Sequence, residues 1–107
     1  MFKSLDGTNI LKGGKLFNPG FDQLKKMAND AGIPLYVCLH ADRHEVENGE
    51  YNWQGKEIIE WCHLNGISPI LELQEGLTKD MFRDGIHPND KGQRFEAEIM
   101  NKYIKFL

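Results

Sequence analysis

The pattern of apolar and polar positions divides the chain into a patternless start and five periodic segments. Residues 1–18 carry Gly7, Gly13, Gly14 and Asn18 with no sustained period, which reads as mostly loop with room for a short strand. Asn18-Pro19 is a helix-start signal: asparagine caps a free backbone N–H, and proline suits the first helical position. Leu24, Met27, Ala28 and Ala31 follow at helical spacing, with Phe21 one turn earlier. Gly32 suits the left-handed residue beyond the helix, and Pro34 stops it from continuing. Pro34 to Leu39 is a short apolar run of the kind found in buried parallel strands. A polar loop spans His40 to Tyr51. Asn52 then caps a second helix over Trp53 to Asn65, with Ile58, Trp61, Cys62 and Leu64 on its apolar side. Ser68 to Leu73 reads as a second strand, and Thr78 caps a single turn through Phe82. A last helix runs from Asn89 to the end, with Phe95, Ile99, Met100, Tyr103, Ile104 and Leu107 as its stripe.

Helix, strand, helix, strand, helix is the order of an α/β protein with a parallel sheet. Two strands are few, since sheets usually hold about 4–6. The expectation is that residues 1–107 form either one small domain or the C-terminal part of a larger one. The missing strands would then come from an N-terminal half or from a second copy of the chain. A half-sheet exposes an edge and apolar surface, so the isolated chain is expected to oligomerise or to be marginally stable.

Composition narrows the function classes. The 107 residues are 40% hydrophobic and 27% charged, with a net charge of −3, which gives no basic footprint for nucleic acid. Lys25, Lys26 and Arg43 are too scattered to supply one. No apolar run reaches the ~18 residues of a membrane span. The polar, glycine-broken N-terminus is unlike a signal peptide, so cytoplasmic is the default location for this chain. Cys38 and Cys62 lack metal or redox spacing and read as buried free thiols.

In open parallel sheets ligands bind beyond the carboxyl ends of the strands. That selects His40-Ala41-Asp42-Arg43-His44 after the first strand and Glu75 to His87 after the second. Ser68 lies at the opposite end of its strand, which argues against it as a nucleophile. Asp84 and His87 are three apart on a turn that Gly85 can bend and Pro88 stiffens. A carboxylate at this spacing can reach one nitrogen of the imidazole and leave the other free to take a proton from a hydroxyl. Asp-x-x-His is also a common turn pattern, in which Asp84 caps and His87 is an ordinary loop residue.

The longer run Asp84-Gly85-Ile86-His87-Pro88-Asn89-Asp90-Lys91-Gly92, followed by an amphipathic terminal helix, resembles the last conserved block of the SGNH (GDSL-like) hydrolases. The resemblance extends more loosely back to Phe17. It implies a three-layer α/β/α, flavodoxin-like fold. It implies ester hydrolysis through an acyl-enzyme without metal or other cofactor, with His87 as general base and Asp84 as its orienter. Small acyl esters or carbohydrate O-acetyl groups are the substrates it suggests. Gly7-Thr8-Asn9 resembles the family's Gly-x-Asn block, which would make Asn9 and Gly7 oxyanion-hole residues. The chain departs from the family in having no Gly-Asp-Ser block: its two serines are Ser4 and Ser68. The nucleophile is therefore not identified, and negligible esterase activity is expected of the chain alone. The competing function is a non-catalytic, degenerate hydrolase module that binds a partner or ligand and oligomerises.

Other residues have weaker chemistry. His40, Asp42 and His44 offer metal-ligand types, but the run reads better as a solvated or substrate-lining loop, with His40 and Asp42 as pocket candidates and no metal. Trp53 and Trp61 could stack on a sugar, although a helical tryptophan such as Trp61 more often packs in a core or interface. Glu45, Glu47 and Glu50 read as a solvated loop. Glu72 and Glu75 approach the second strand's carboxyl end, where paired carboxylates would suit a glycosidase, but nothing else supports one.

Overall fold

The computed structural model describes Leu11–Lys12, Lys15–Leu16 and residues 18–104. Leu11–Lys12 (β1) and Lys15–Leu16 (β2) pair antiparallel, with Leu11 opposite Leu16. Ser4, Gly7, Asn9 and Leu107 lie outside the described residues.

The first helix, α1, spans Pro19–Ala31. Asn18 Oδ1 accepts from Gly20 N–H at 2.8 Å. At the other end Gly32 takes φ 70°, and the N–H groups of Gly32 and Ile33 return to the carbonyls of Asn29 and Ala28. This is the left-handed closure expected of a C-terminal glycine. The helix's apolar face is less buried than its spacing predicts. Ala28 is buried, whereas Leu24 and Met27 stay 57% and 67% exposed.

The core of the fold is a parallel pair, Cys38–Leu39 (β3) beside Ile70–Leu71 (β4), in the register Cys38↔Ile70 and Leu39↔Leu71. Both strands are shorter than their apolar runs predict. Residues 34–37 are extended chain outside the ladder, although Ile70 N–H still donates to Val37 O at 2.8 Å. The second run turns into a short helix, Glu72–Glu75 (α4), closed by Gly76 at φ 110°. Two paired residues per strand support an α/β class with a small parallel sheet.

The polar segment between β3 and Tyr51 is not a plain loop. Arg43–Asn48 forms a helix (α2) with a capping box. Asp42 Oδ1 accepts from Glu45 N–H at 2.8 Å, and Glu45 Oε1 accepts from Asp42 N–H at 2.9 Å. Such a reciprocal pair satisfies two donors that the helix itself cannot. Glu45 is consequently buried, and its second oxygen accepts from Asn52 N–H at 2.7 Å.

Trp53–Leu64 (α3) starts as predicted, with Asn52 Oδ1 accepting from Gly55 N–H at 3.0 Å. A 3-10 turn over Lys79–Met81 precedes Asp90–Tyr103 (α5). Thr78 does not cap that turn through its side chain; its hydroxyl donates to Asp80. Two apolar clusters hold these elements. Ala41, Tyr51, Leu77, Met81 and Phe82 form one, beneath the carboxyl ends of the strands. Trp61 and Cys62 form the other, with Phe21, Leu35, Val37, Ile58 and Ile67 around them. Trp61 is thus a core residue, while Trp53 is 71% exposed. Cys62 is buried and Cys38 half-buried, and both are free thiols.

Candidate active site

The turn that carries Asp84 and His87 is built by hydrogen bonds along its whole length. Phe82 and Pro88 face each other as an antiparallel bridge, and Arg83 N–H donates to His87 O at 2.9 Å. Inside this loop, Asp84 Oδ1 accepts from the N–H groups of Ile86 and His87 at 2.8 and 2.7 Å. Its other oxygen, Oδ2, lies 2.8 Å from His87 Nδ1. The backbone N–H groups of His87 and Ile86, with the His87 imidazole, hold the Asp84 carboxyl well below the usual carboxylate range. The carboxylate therefore orients the ring while shaping the turn. No described residue hydrogen-bonds His87 Nε2, and the His87 side chain is 57% exposed. Gly85 bends this turn without a left-handed conformation, since its φ is not positive.

Asn89 and Gly92 explain why the run continues as it does. Asn89 Oδ1 accepts from Gly92 N–H at 2.9 Å and starts α5. Asn89 Nδ2 donates to Asp80 O at 2.8 Å, and its backbone N–H donates to Met81 O at 2.8 Å. A Cβ on Gly92 would lie 2.3 Å from Met81 O and 2.9 Å from Pro88 Cβ. The glycine is needed for the helix to start against the preceding turn.

The carboxyl end of β3 holds the same turn from the other side. Arg43 N–H donates to Gly85 O at 3.0 Å, and His40 Nε2 lies 3.2 Å from Ile86 O. His40 Nδ1 lies 2.7 Å from Glu72 Oε2 and 2.8 Å from Glu96 Oε2. Burial alone would lower the His40 pKa, but the hydrogen bonds to Glu72 and Ile86 and the nearby carboxylates outweigh it and raise the value. Burial raises Glu72, and the Glu96 charge adds to the effect, opposed by His40. Burial and the same two carboxylates push the Cys38 thiol up to about 11, so it is no thiolate nucleophile near neutral pH. Tyr51 joins the two strand ends: its hydroxyl donates to Leu39 O at 3.0 Å and accepts from Leu73 N–H at 3.2 Å.

The predicted site residues are only partly brought together. Asp84 and His87 pair, and His40 reaches their turn. Asp42 is occupied in capping α2 rather than lining a pocket, and His44 Nε2 lies 3.0 Å from Asn48 Nδ2. The His40-Asp42-His44 run therefore does not converge. Glu72 and Glu75 also diverge, because Glu75 leaves the strand end to meet Lys102 at 3.1 Å and the Tyr103 hydroxyl. Ser68 is exposed at the amino end of β4, as its position in the run implies. Glu96 was not anticipated. Its signal lies in the spacing: Gly92, Phe95, Glu96 and Ile99 fall at i, i+3, i+4 and i+7, which puts a carboxylate on the core-facing stripe of α5. Glu72 sits inside an apolar strand pattern and is 1% exposed, a comparable signal.

An apolar groove of about 290 Å³ is lined by Phe21, Leu24, Leu35, Tyr36, Val37, Cys38, Ile58 and Trp61. Comparison with protein-family models, with curated proteins and with solved structures gives no match.

Proposed function

We propose that the chain supplies the His-Asp part of an SGNH-type serine ester hydrolase with a flavodoxin-like sheet completed by further strands. The observation that carries this reading is the pairing of Asp84 Oδ2 with His87 Nδ1 at 2.8 Å while Nε2 remains open. A carboxylate on Nδ1 leaves Nε2 able to take a proton from a hydroxyl as it attacks an acyl carbon, and to return that proton to the leaving alcohol. The pair lies beside the carboxyl ends of β3 and β4, where parallel sheets bind ligands. Acyl esters, including carbohydrate O-acetyl groups, are the substrate class. Neither Ser4 nor Ser68 is assigned as nucleophile, and this reading takes the serine from an upstream segment or a partner chain.

The test is acetate release from a short acyl ester, with serine-reactive labelling alongside. The chain alone should show neither. Its extension into a natural upstream reading frame carrying a Gly-Asp-Ser block should release acetate, and His87→Ala should reduce that rate on the order of 10⁶-fold. Turnover that survives His87→Ala refutes the role given to His87. The open groove and the exposed Leu24 and Met27 favour a second reading, a non-catalytic module that binds a partner and oligomerises. Upstream sequence without a serine block selects it.

A further inference from the structure

We propose that His40, Glu72 and Glu96 form a binding site for one divalent transition-metal ion, with Zn²⁺ the best fit. This site does not depend on the hydrolase reading. Three elements distant in sequence contribute one ligand each: the residue after β3, the first residue of α4, and the second turn of α5. Their ligating atoms all lie within 4.8 Å of one another.

The hydrogen-bond inventory of His40 points to a cation. Nε2 faces the Ile86 carbonyl, which can only accept, at 3.2 Å. A proton on Nδ1 pairs with both carboxylate oxygens at 2.7 and 2.8 Å, and without that proton a lone pair faces them. Positive charge is needed between these three groups; the Nδ1 proton supplies it in the free chain, and a metal ion takes the same place by displacing that proton. A metal-bound histidine usually donates its second N–H to a backbone carbonyl or carboxylate, which fixes the tautomer and orients the ring, and Ile86 O stands where that acceptor belongs. The Glu72 side chain is 2% exposed, so its charge is poorly served by water.

The geometry needs little change. Metal–ligand bonds of about 2.0–2.2 Å place tetrahedral ligand atoms roughly 3.3–3.5 Å apart. The present separations must therefore open by about 0.6 Å, a motion within reach of Glu96, which projects from a partly exposed helix position. One imidazole and two carboxylates suit zinc and leave its fourth position to water or a ligand from solution. Cys38 Sγ is 3.8 Å from Glu72 Oε1, so it stands beside the set rather than in it.

The experiment is equilibrium dialysis of the metal-stripped full chain against ZnCl₂, with metal analysis and circular dichroism of each variant. One saturable Zn²⁺ per chain is expected. His40→Gln and Glu96→Gln, both at positions that reach solvent, should each weaken binding at least tenfold while keeping the native spectrum. His63→Gln, at an exposed site on α3, should leave it unchanged. Co²⁺ in place of zinc should give visible d–d bands in the parent chain that both ligand variants lose. Absence of stoichiometric binding overturns the proposal. So does binding that persists in His40→Gln and Glu96→Gln, or that disappears with His63→Gln.

Discussion

Two glycines of the Asp84–Gly92 run should respond oppositely to alanine. At Gly92 the added Cβ would sit 2.3 Å from Met81 O and 2.9 Å from Pro88 Cβ. An ordinary contact requires roughly 1 Å more, and neither partner is the free end of a flexible side chain. Met81 O already accepts from Asn89 N–H at 2.8 Å, so moving α5 away lengthens that bond. Overpacking of this kind costs about 1–3 kcal/mol and a lost hydrogen bond about 1 kcal/mol, against a gain of up to about 1 kcal/mol in helix propensity. Gly92→Ala should therefore destabilise by about 2 kcal/mol, which lowers Tm by roughly 8–16 °C in a domain of this size. At Gly85 a Cβ meets nothing within 4 Å, and φ is not positive. Gly85→Ala should be neutral or stabilise by up to about 1 kcal/mol, through the reduced entropy of the unfolded chain. Urea titrations of both variants measure the contrast. A Gly92→Ala unfolding free energy within about 0.5 kcal/mol of the parent would refute the close approach of α5 to the turn.

Three further predictions concern the turn and the open face. Asp84→Ala should raise amide exchange at Ile86 and His87 by about tenfold, whereas Asp84→Asn, which keeps an acceptor at Oδ1, should largely preserve protection; equal exchange in the two variants would contradict the hydrogen-bond assignment. The folded Asp84 carboxyl titrates below its unfolded value, so its contribution is fully present above about pH 4 and is lost as pH falls below that. Asp84→Asn should thus flatten the acid limb of stability in urea midpoints measured from pH 5 down to pH 2.5. The open apolar groove and the short β3–β4 ladder should let a second copy associate, so sedimentation velocity should show a concentration-dependent dimer or larger species. A monomer that unfolds in one sharp transition at every concentration would contradict that expectation.

Local signals carried far in this chain. Asn18 and Asn52 cap α1 and α3 as their positions ahead of apolar periods predict, Asn89 caps α5 one residue before the helix rather than opening it, and Gly32 closes α1 in the left-handed region. These are short-range effects: a side-chain oxygen meets an N–H two or three residues away, and no distant partner is needed. The Asp84–His87 pairing is of the same kind, since its three hydrogen bonds close within one turn. The α2 capping box could also have been read from Asp42 and Glu45, but the acidic run around it looks like solvated loop until both bonds are seen.

Legible in the sequence are therefore the caps that start α1 and α3, the glycine stop of α1, the α/β order and the Asp-x-x-His turn, whereas α2, α4 and the end of α5 at Tyr103 were not. Tertiary structure alone decided strand length, the exposure of Leu24 and Met27, and the company His40 keeps. Strand ends depend on a partner's register, so β4 stops at Leu71 where α4 begins, although the apolar pattern continues to Leu73. Helix faces are buried only when another layer covers them, which periodicity does not reveal. His40, Glu72 and Glu96 are separated by 32 and 24 residues, and only the docking of α5 against the ends of β3 and β4 brings their charges within hydrogen-bonding distance.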